Sequence, residues 1–120
     1  WNDDWSNQEQ LNLYLLDLIG QSNSLTYGLF ENRKLIGVSM GHIKHWYSGT
    51  EYYIEELCIQ TNKQGNGIGT YFLKEIEKAI KELGLVQIFL QTESTVPAYE
   101  FYQKNGFCEL KEHVSFAKRI

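Results

Sequence analysis

The chain is short of several residues that would have settled its class at once. It holds one proline and two cysteines, Cys58 and Cys108. With no C-x-x-C pair and no His/Cys cluster at ligand spacing, a zinc module, a disulfide-stapled scaffold and any other metal site are not expected. Each cysteine lies in an apolar run, so each is expected to be a small buried hydrophobe in a reducing, cytoplasmic setting. No apolar run approaches the roughly 20 residues that cross a bilayer, so no membrane partner is expected. Basic residues are also scarce: 11 Lys plus Arg stand against 15 Asp plus Glu, a net charge of -4. A nucleic-acid binder would present the opposite sign. An acidic surface suits a small cationic molecule, as well as serving solubility.

What is present suffices for one domain, residues 1–120, with 42% hydrophobic and 22% charged residues. The chain opens on Trp1, and residues of the same fold are expected to precede it. Ser6-Asn7-Gln8-Glu9 has the form of a capping box with Ser6 at the cap. Leu11, Tyr14, Leu15, Leu18 and Ile19 follow at helical spacing up to Gly20. Leu25, Tyr27 and Leu29 alternate as in a strand, Asn32-Arg33 forms a hairpin tip, and Ile36, Val38 and Met40 alternate again. Gly37, Ser39 and Gly41 keep the other face small, open to a ligand or a second backbone.

After a turn at 45–50 comes a strand whose parity fails. Leu57 and Ile59 share a face, but Ile54 lies three residues before Leu57. One extra residue near Glu55-Glu56, a β-bulge, restores the register. A glycine-rich stretch, Lys63 to Gly69, then leads into a helix with Ile68, Phe72, Ile76, Ile80 and Leu83 on one face. Residues 85–90 predict a buried strand. Ser94 or Thr95 caps a short helix with Pro97 in its first turn, and 107–119 are expected to be extended, with Val114 and Phe116 alternating. Strand, helix and strand around the glycine loop imply a parallel pair with a right-handed crossover. The class is α+β, with a mixed, mostly antiparallel sheet.

Glycines between a strand and a helix start let main-chain N–H groups close around an anion. A Walker loop is excluded because no lysine precedes Thr70, and the spacing Gly65-x-Gly67-x-Gly69, deep in the chain, is not a Rossmann fingerprint. Gln64-Gly65-Asn66-Gly67-Ile68-Gly69 is similar to the Q/R-x-x-G-x-G/A pyrophosphate loop of the GNAT acetyltransferases. Glu56-Leu57-Cys58-Ile59 resembles that family's strand before the loop. Ala98 to Phe107 resembles its A-x-x-x-Y-x-x-x-G-F signature. The likeness spans roughly residues 35–110, and Trp46 to Leu57 further resembles a subgroup acting on aminoglycosides and other small amines. The family's first strand has no counterpart here, and Thr95 stands where an Asn is common.

The resemblance implies acetyl transfer from acetyl-coenzyme A to a primary amine of a small, cationic acceptor, by direct attack in a ternary complex. It implies that Leu57, Cys58 and Ile59 pair with the pantetheine arm, helped by Thr95. The Leu57 N–H would stabilise the carbonyl oxygen. Gln64, Gly65, Asn66, Gly67, Ile68, Gly69 and Thr70 would hold the diphosphate, with Lys63 adding charge. Tyr102 would protonate the departing thiolate, and Glu55 or Glu56 would take the proton from the amine. Asp3, Asp4, Trp46, Glu51 and Tyr53 are candidates for the acceptor pocket. A sensor of acyl-coenzyme A without turnover and a protein N-acetyltransferase are the competing readings, and many relatives dimerise.

Overall fold

The computed structural model describes residues 3–120; Trp1 and Asn2 lie outside the described residues. Its elements run α1 (Gln8–Ile19), β1 (Ser24–Glu31), β2 (Lys34–Trp46), β3 (Gly49–Ile59), a single 3-10 turn at Thr61–Lys63, α2 (Ile68–Glu82), β4 (Gln87–Leu90) and α3 (Pro97–Lys104). The four strands form one sheet in the order β1-β2-β3-β4. The first three are antiparallel neighbours, and β4 is parallel to β3. This is the expected mixed α+β class, with the crossover helix α2 joining the parallel pair.

Local chemistry explains most boundaries. Asn7, not Ser6, caps α1, because its side-chain oxygen accepts the Gln10 N–H at 3.0 Å, the third helical residue. The Ser6 N–H is itself held by Asp4, so the capping box is one residue out of register. Asn32 and Arg33 both adopt positive φ, 51° and 69°, as a two-residue turn between right-twisted strands demands. Gly84, at φ 85°, ends α2, and the Leu85 N–H donates back to the Ile80 carbonyl at 3.0 Å. That reversal buries Leu85 and leaves Leu83 exposed, so Leu85 takes the core place expected of Leu83. No side chain caps α3, which begins after Val96 with Pro97 in its first turn.

The core lies between the sheet and α2, where Tyr52, Ile54, Phe72, Ile76, Ile80 and Leu85 form one buried cluster. Ile76→Ala should lower stability by about 2–5 kcal/mol, read as a shifted urea midpoint at unchanged slope. The small face of β2 is filled by the protein itself. Ser39 and Tyr52 are fully buried and their hydroxyls lie 2.8 Å apart, with Tyr52 donating to the Leu25 carbonyl. A Cβ on Gly37 would meet Ile59, and one on Gly41 would strike the Tyr53 carbonyl. The bare positions therefore admit Tyr52, Ile59 and the neighbouring main chain.

The last expectation fails. Among the described residues no strand follows α3, and Val114 and Phe116 are 73% and 94% exposed. Two alternating apolar residues flanked by Lys111, Glu112, Lys118 and Arg119 bury too little to hold a strand against the sheet. β4 is thus an edge strand, only half-buried rather than enclosed.

Candidate active site

The site begins with an irregularity in β3. Met40 faces Glu56 and Gly41 faces Ile54, so Glu55 has no partner in the β2 ladder. This is the bulge that the side-chain parity demanded. It puts Ile54, 3% exposed, into the core and still lets Leu57 and Ile59 pack against the same cluster.

At the same point the parallel pair opens. β3 meets β4 only from Glu51↔Gln87 to Ile54↔Leu90, yet β3 continues to Ile59. From Glu55 onward its second edge has no strand against it. The Gln60 N–H donates to the Ile36 carbonyl at 2.7 Å. In an antiparallel ladder alternate residues turn their N–H the same way. Glu56 and Cys58 therefore bond toward β2, and the N–H groups of Leu57 and Ile59 point to the open edge. Cys58 has its side chain on the opposite face from Leu57 and Ile59. This exposes it, against the expectation of burial; Cys108, beyond α3 where no strand covers it, is exposed as well.

The loop to α2 carries the second set of donors. Gly65 and Gly67 take φ of 80° and 76°, a conformation that favours glycine. Gly67 is the N-cap of α2 and has no side chain to occupy the donors behind it. The first turn-closing bond is Tyr71 N–H to Gly67. Among the described residues, the N–H groups from Gly65 to Thr70 have no acceptor. No acidic residue sits in the first turn of α2, so the positive end of the helix is unopposed. Gly69 has an added reason to be glycine, since a Cβ there would press on the Phe101 ring of α3 at 2.9 Å. That contact brings α3 against the start of α2. Gln64 anchors the loop by donating to the Ile59 carbonyl at 2.9 Å, whereas Lys63 is paired with Glu31 of β1 at 2.6 Å.

An open strand edge and a cradle of main-chain donors on successive elements match an extended ligand that ends in a diphosphate. Residues 1–107 match the family model described as Acetyltransferase (GNAT) family. The chain belongs to the GNAT acetyltransferase family. No curated protein matches it. Among solved structures it is similar to an aminoglycoside acetyltransferase from an uncultured soil metagenomic sample in complex with sisomicin, at 21% identity and TM-score 0.75, covering 99% of this chain and 78% of that one. It is similar to the aminoglycoside 6'-N-acetyltransferase AAC(6')-IG of Acinetobacter haemolyticus at 18% identity and TM-score 0.71, covering 100% and 85%. A putative acetyl transferase from Pyrococcus furiosus shows 23% identity and TM-score 0.78, covering 100% and 82%. At these identities the likeness is one of fold.

The other named residues of this GNAT chain fall into two groups. Tyr102, Glu55 and Glu56 gather around the opening of β3 and β4. The Tyr102 ring is wedged between Phe101 and Phe107, with centroids 5.4 and 5.2 Å away. Burial first, and then the charge of Glu56, push its pKa up to about 12. Its hydroxyl makes no hydrogen bond among the described residues. Glu55 lines a small cavity of about 210 Å³ with Tyr14, Tyr53, Ile54 and Gln91. Among the described residues, the remaining candidates share neither that small cavity nor a hydrogen bond with Tyr102, Glu55 or Glu56. Thr95 is exposed before α3. Trp46 pairs with Gly49, six residues and about 20 Å of strand from Glu55. Glu51 is buried, and Gln87 donates to its carboxylate.

Two residues had no signal in the sequence. Tyr14 sits among the apolar positions of α1, yet its hydroxyl donates to Glu56 at 2.7 Å across 42 positions of chain. Thr92 follows β4 directly, and its hydroxyl oxygen is buried without a hydrogen-bond partner. Such an orphan just past the end of β4 is a polar atom that a ligand could satisfy. A larger groove of about 1110 Å³ runs along the outer edge of β4 and reaches Tyr102 and Thr92, but not the glycine loop. Main-chain geometry, rather than cavity size, marks the candidate site.

No helix among the described residues is long and apolar enough to cross a membrane, and no group of three or more His, Cys, Asp or Glu among them is arranged to hold a metal.

Proposed function

We propose that residues 1–120 act as one cytoplasmic acetyltransferase domain that moves an acetyl group from acetyl-coenzyme A to a primary amine of a small cationic acceptor, by direct attack in a ternary complex. The observation that carries this reading is the run of unsatisfied main-chain donors. It starts with Leu57 and Ile59 on the open edge of β3 and continues through Gly65 to Thr70 at the head of α2. The orphaned Thr92 hydroxyl, just past the end of β4, adds a buried polar atom that a ligand could satisfy.

Acetyl-coenzyme A supplies an activated acyl carbon and a thiolate leaving group. Gly65 to Thr70 bind the diphosphate through backbone N–H groups, with Gln64 holding the loop through its side chain because its own N–H already donates to the Thr61 carbonyl, and the edge of Leu57, Cys58 and Ile59 takes the pantetheine arm as an added strand. The Leu57 N–H donates to the carbonyl oxygen as negative charge builds there, an effect worth about 3 kcal/mol for one placed donor. Glu56 or Glu55 accepts the proton that the attacking ammonium must lose. Tyr102 keeps its own proton at every working pH, because its pKa is raised to about 12. It is therefore always available to donate toward the departing sulfur. Glu55, Tyr53 and Tyr14 form an acidic, aromatic wall that favours a cation.

The test is a release assay for free thiol with acetyl-coenzyme A and a panel of aminoglycosides, polyamines and a lysine peptide. Turnover with a small polyamine or aminoglycoside at least about tenfold above the peptide in kcat/KM is the expected result. Preference for the peptide would make the chain a protein acetyltransferase. Tight acetyl-coenzyme A binding with no turnover on any amine would leave a sensor.

A further inference from the structure

We propose that Tyr14 is a positioning residue for the reaction, fixing the Glu56 carboxylate at the mouth of the β3/β4 opening. This rests on the reading of Glu56 as the group that accepts the amine proton. Tyr14 stands on α1, an element that contributes nothing to the glycine loop or to the open strand edge. Its hydroxyl donates to Glu56 Oε1 at 2.7 Å, the one side-chain hydrogen bond that ties α1 to β3 among the described residues. The ring is held for this task. Trp5, in the segment leading into α1, stacks on it with centroids 5.0 Å apart and planes 12° from parallel.

Two phenols with different duties therefore stand near the carboxylate. Tyr14 is already bonded to it. Tyr102 feels its charge but makes no bond to it. A strand carboxylate next to a bulge has several rotamers open to it, and one charge-assisted hydrogen bond selects among them. Locking one oxygen on Tyr14 leaves the other for the incoming amine or a bridging water. The ionisable groups near Glu56 are Tyr14 from α1, Tyr102 from α3 and Cys58 from β3 itself; Glu55 and Asp3 approach Tyr14. Its partner on β2, Met40, is uncharged.

The experiment is a double-mutant cycle on the whole chain with Tyr14→Phe and Glu56→Gln, using the best amine of the panel. Phenylalanine keeps the stack on Trp5. Tyr14→Phe should lower kcat about tenfold and leave KM for acetyl-coenzyme A within about twofold. In the Glu56→Gln background the same change should have no further effect. A loss that multiplies with that of Glu56→Gln, or one that falls on KM rather than on kcat, would overturn the role of Tyr14 alone. Full activity of Glu56→Gln would overturn the base assignment beneath it, and the proposal with it.

Discussion

Replacing Gly67 with aspartate is expected to weaken acetyl-coenzyme A binding by at least about 100-fold while leaving the folded protein almost as stable as before. The two halves of this result have separate causes. Gly67 is the N-cap of α2 at φ 76°, and a Cβ built there meets nothing within 4 Å. Aspartate tolerates that backbone better than most residues, at a cost of about 1 kcal/mol, and its charge at the head of a helix returns 0.3–1 kcal/mol as an order-of-magnitude estimate. The same charge stands among the donors proposed to hold a diphosphate. Like charges about 4 Å apart near a protein surface repel by about 4 kcal/mol, which is nearly a thousandfold in affinity. Isothermal titration with acetyl-coenzyme A gives the first quantity and urea unfolding the second. Gly67→Asn separates charge from shape, and should lose less than about tenfold. Wild-type affinity in the aspartate variant would remove the loop from the binding site.

Tyr102→Phe should lower kcat by about 100-fold or more with acetyl-coenzyme A affinity unchanged. The ring that packs between Phe101 and Phe107 stays, so neither the fold nor the binding surface changes. What is lost is one oxygen that has no structural partner among the described residues. The pH profile adds a check. Burial and the Glu56 charge raise the tyrosine's pKa to about 12, which favours the neutral phenol. Ionisation of Tyr102 therefore does not produce a fall in kcat near neutral pH, and an alkaline limb in that range belongs to another group. The variant should keep any such limb at a lower plateau. Rapid mixing that follows thiol release in a single turnover ensures that the chemical step, not product release, is compared.

How much of this was legible beforehand follows from how local each determinant is. The bulge was legible because Ile54, Leu57 and Ile59 cannot share a face without one extra residue, and parity is a property of neighbouring positions. The glycine loop was legible for a similar reason: Gly65 and Gly67 are needed for their own backbone angles. Tyr102 stood out by its spacing within a helix motif. Tyr14 did not, because its partner is on a strand far along the chain, and a tyrosine in an apolar helix face looks like packing. Trp46 was misjudged by the same blindness. An aromatic residue near the bulge in sequence lies at the far end of the hairpin once β2 and β3 pair. The tail after α3 misled because alternation alone does not say whether a strand has anything to cover, and Val114 and Phe116 cover nothing among the described residues.

Glu55 has a consequence beyond its carboxylate. It is the one position of β3 that shifts the phase of everything after it. Removing the residue altogether would straighten β3 and still leave Ile54, Leu57 and Ile59 on one face, since Gly41 would still face Ile54 and Met40 would still face Glu56. What would go is the local kink and added twist that a bulge imposes on its strand. The extra residue is therefore a device of shape rather than of packing.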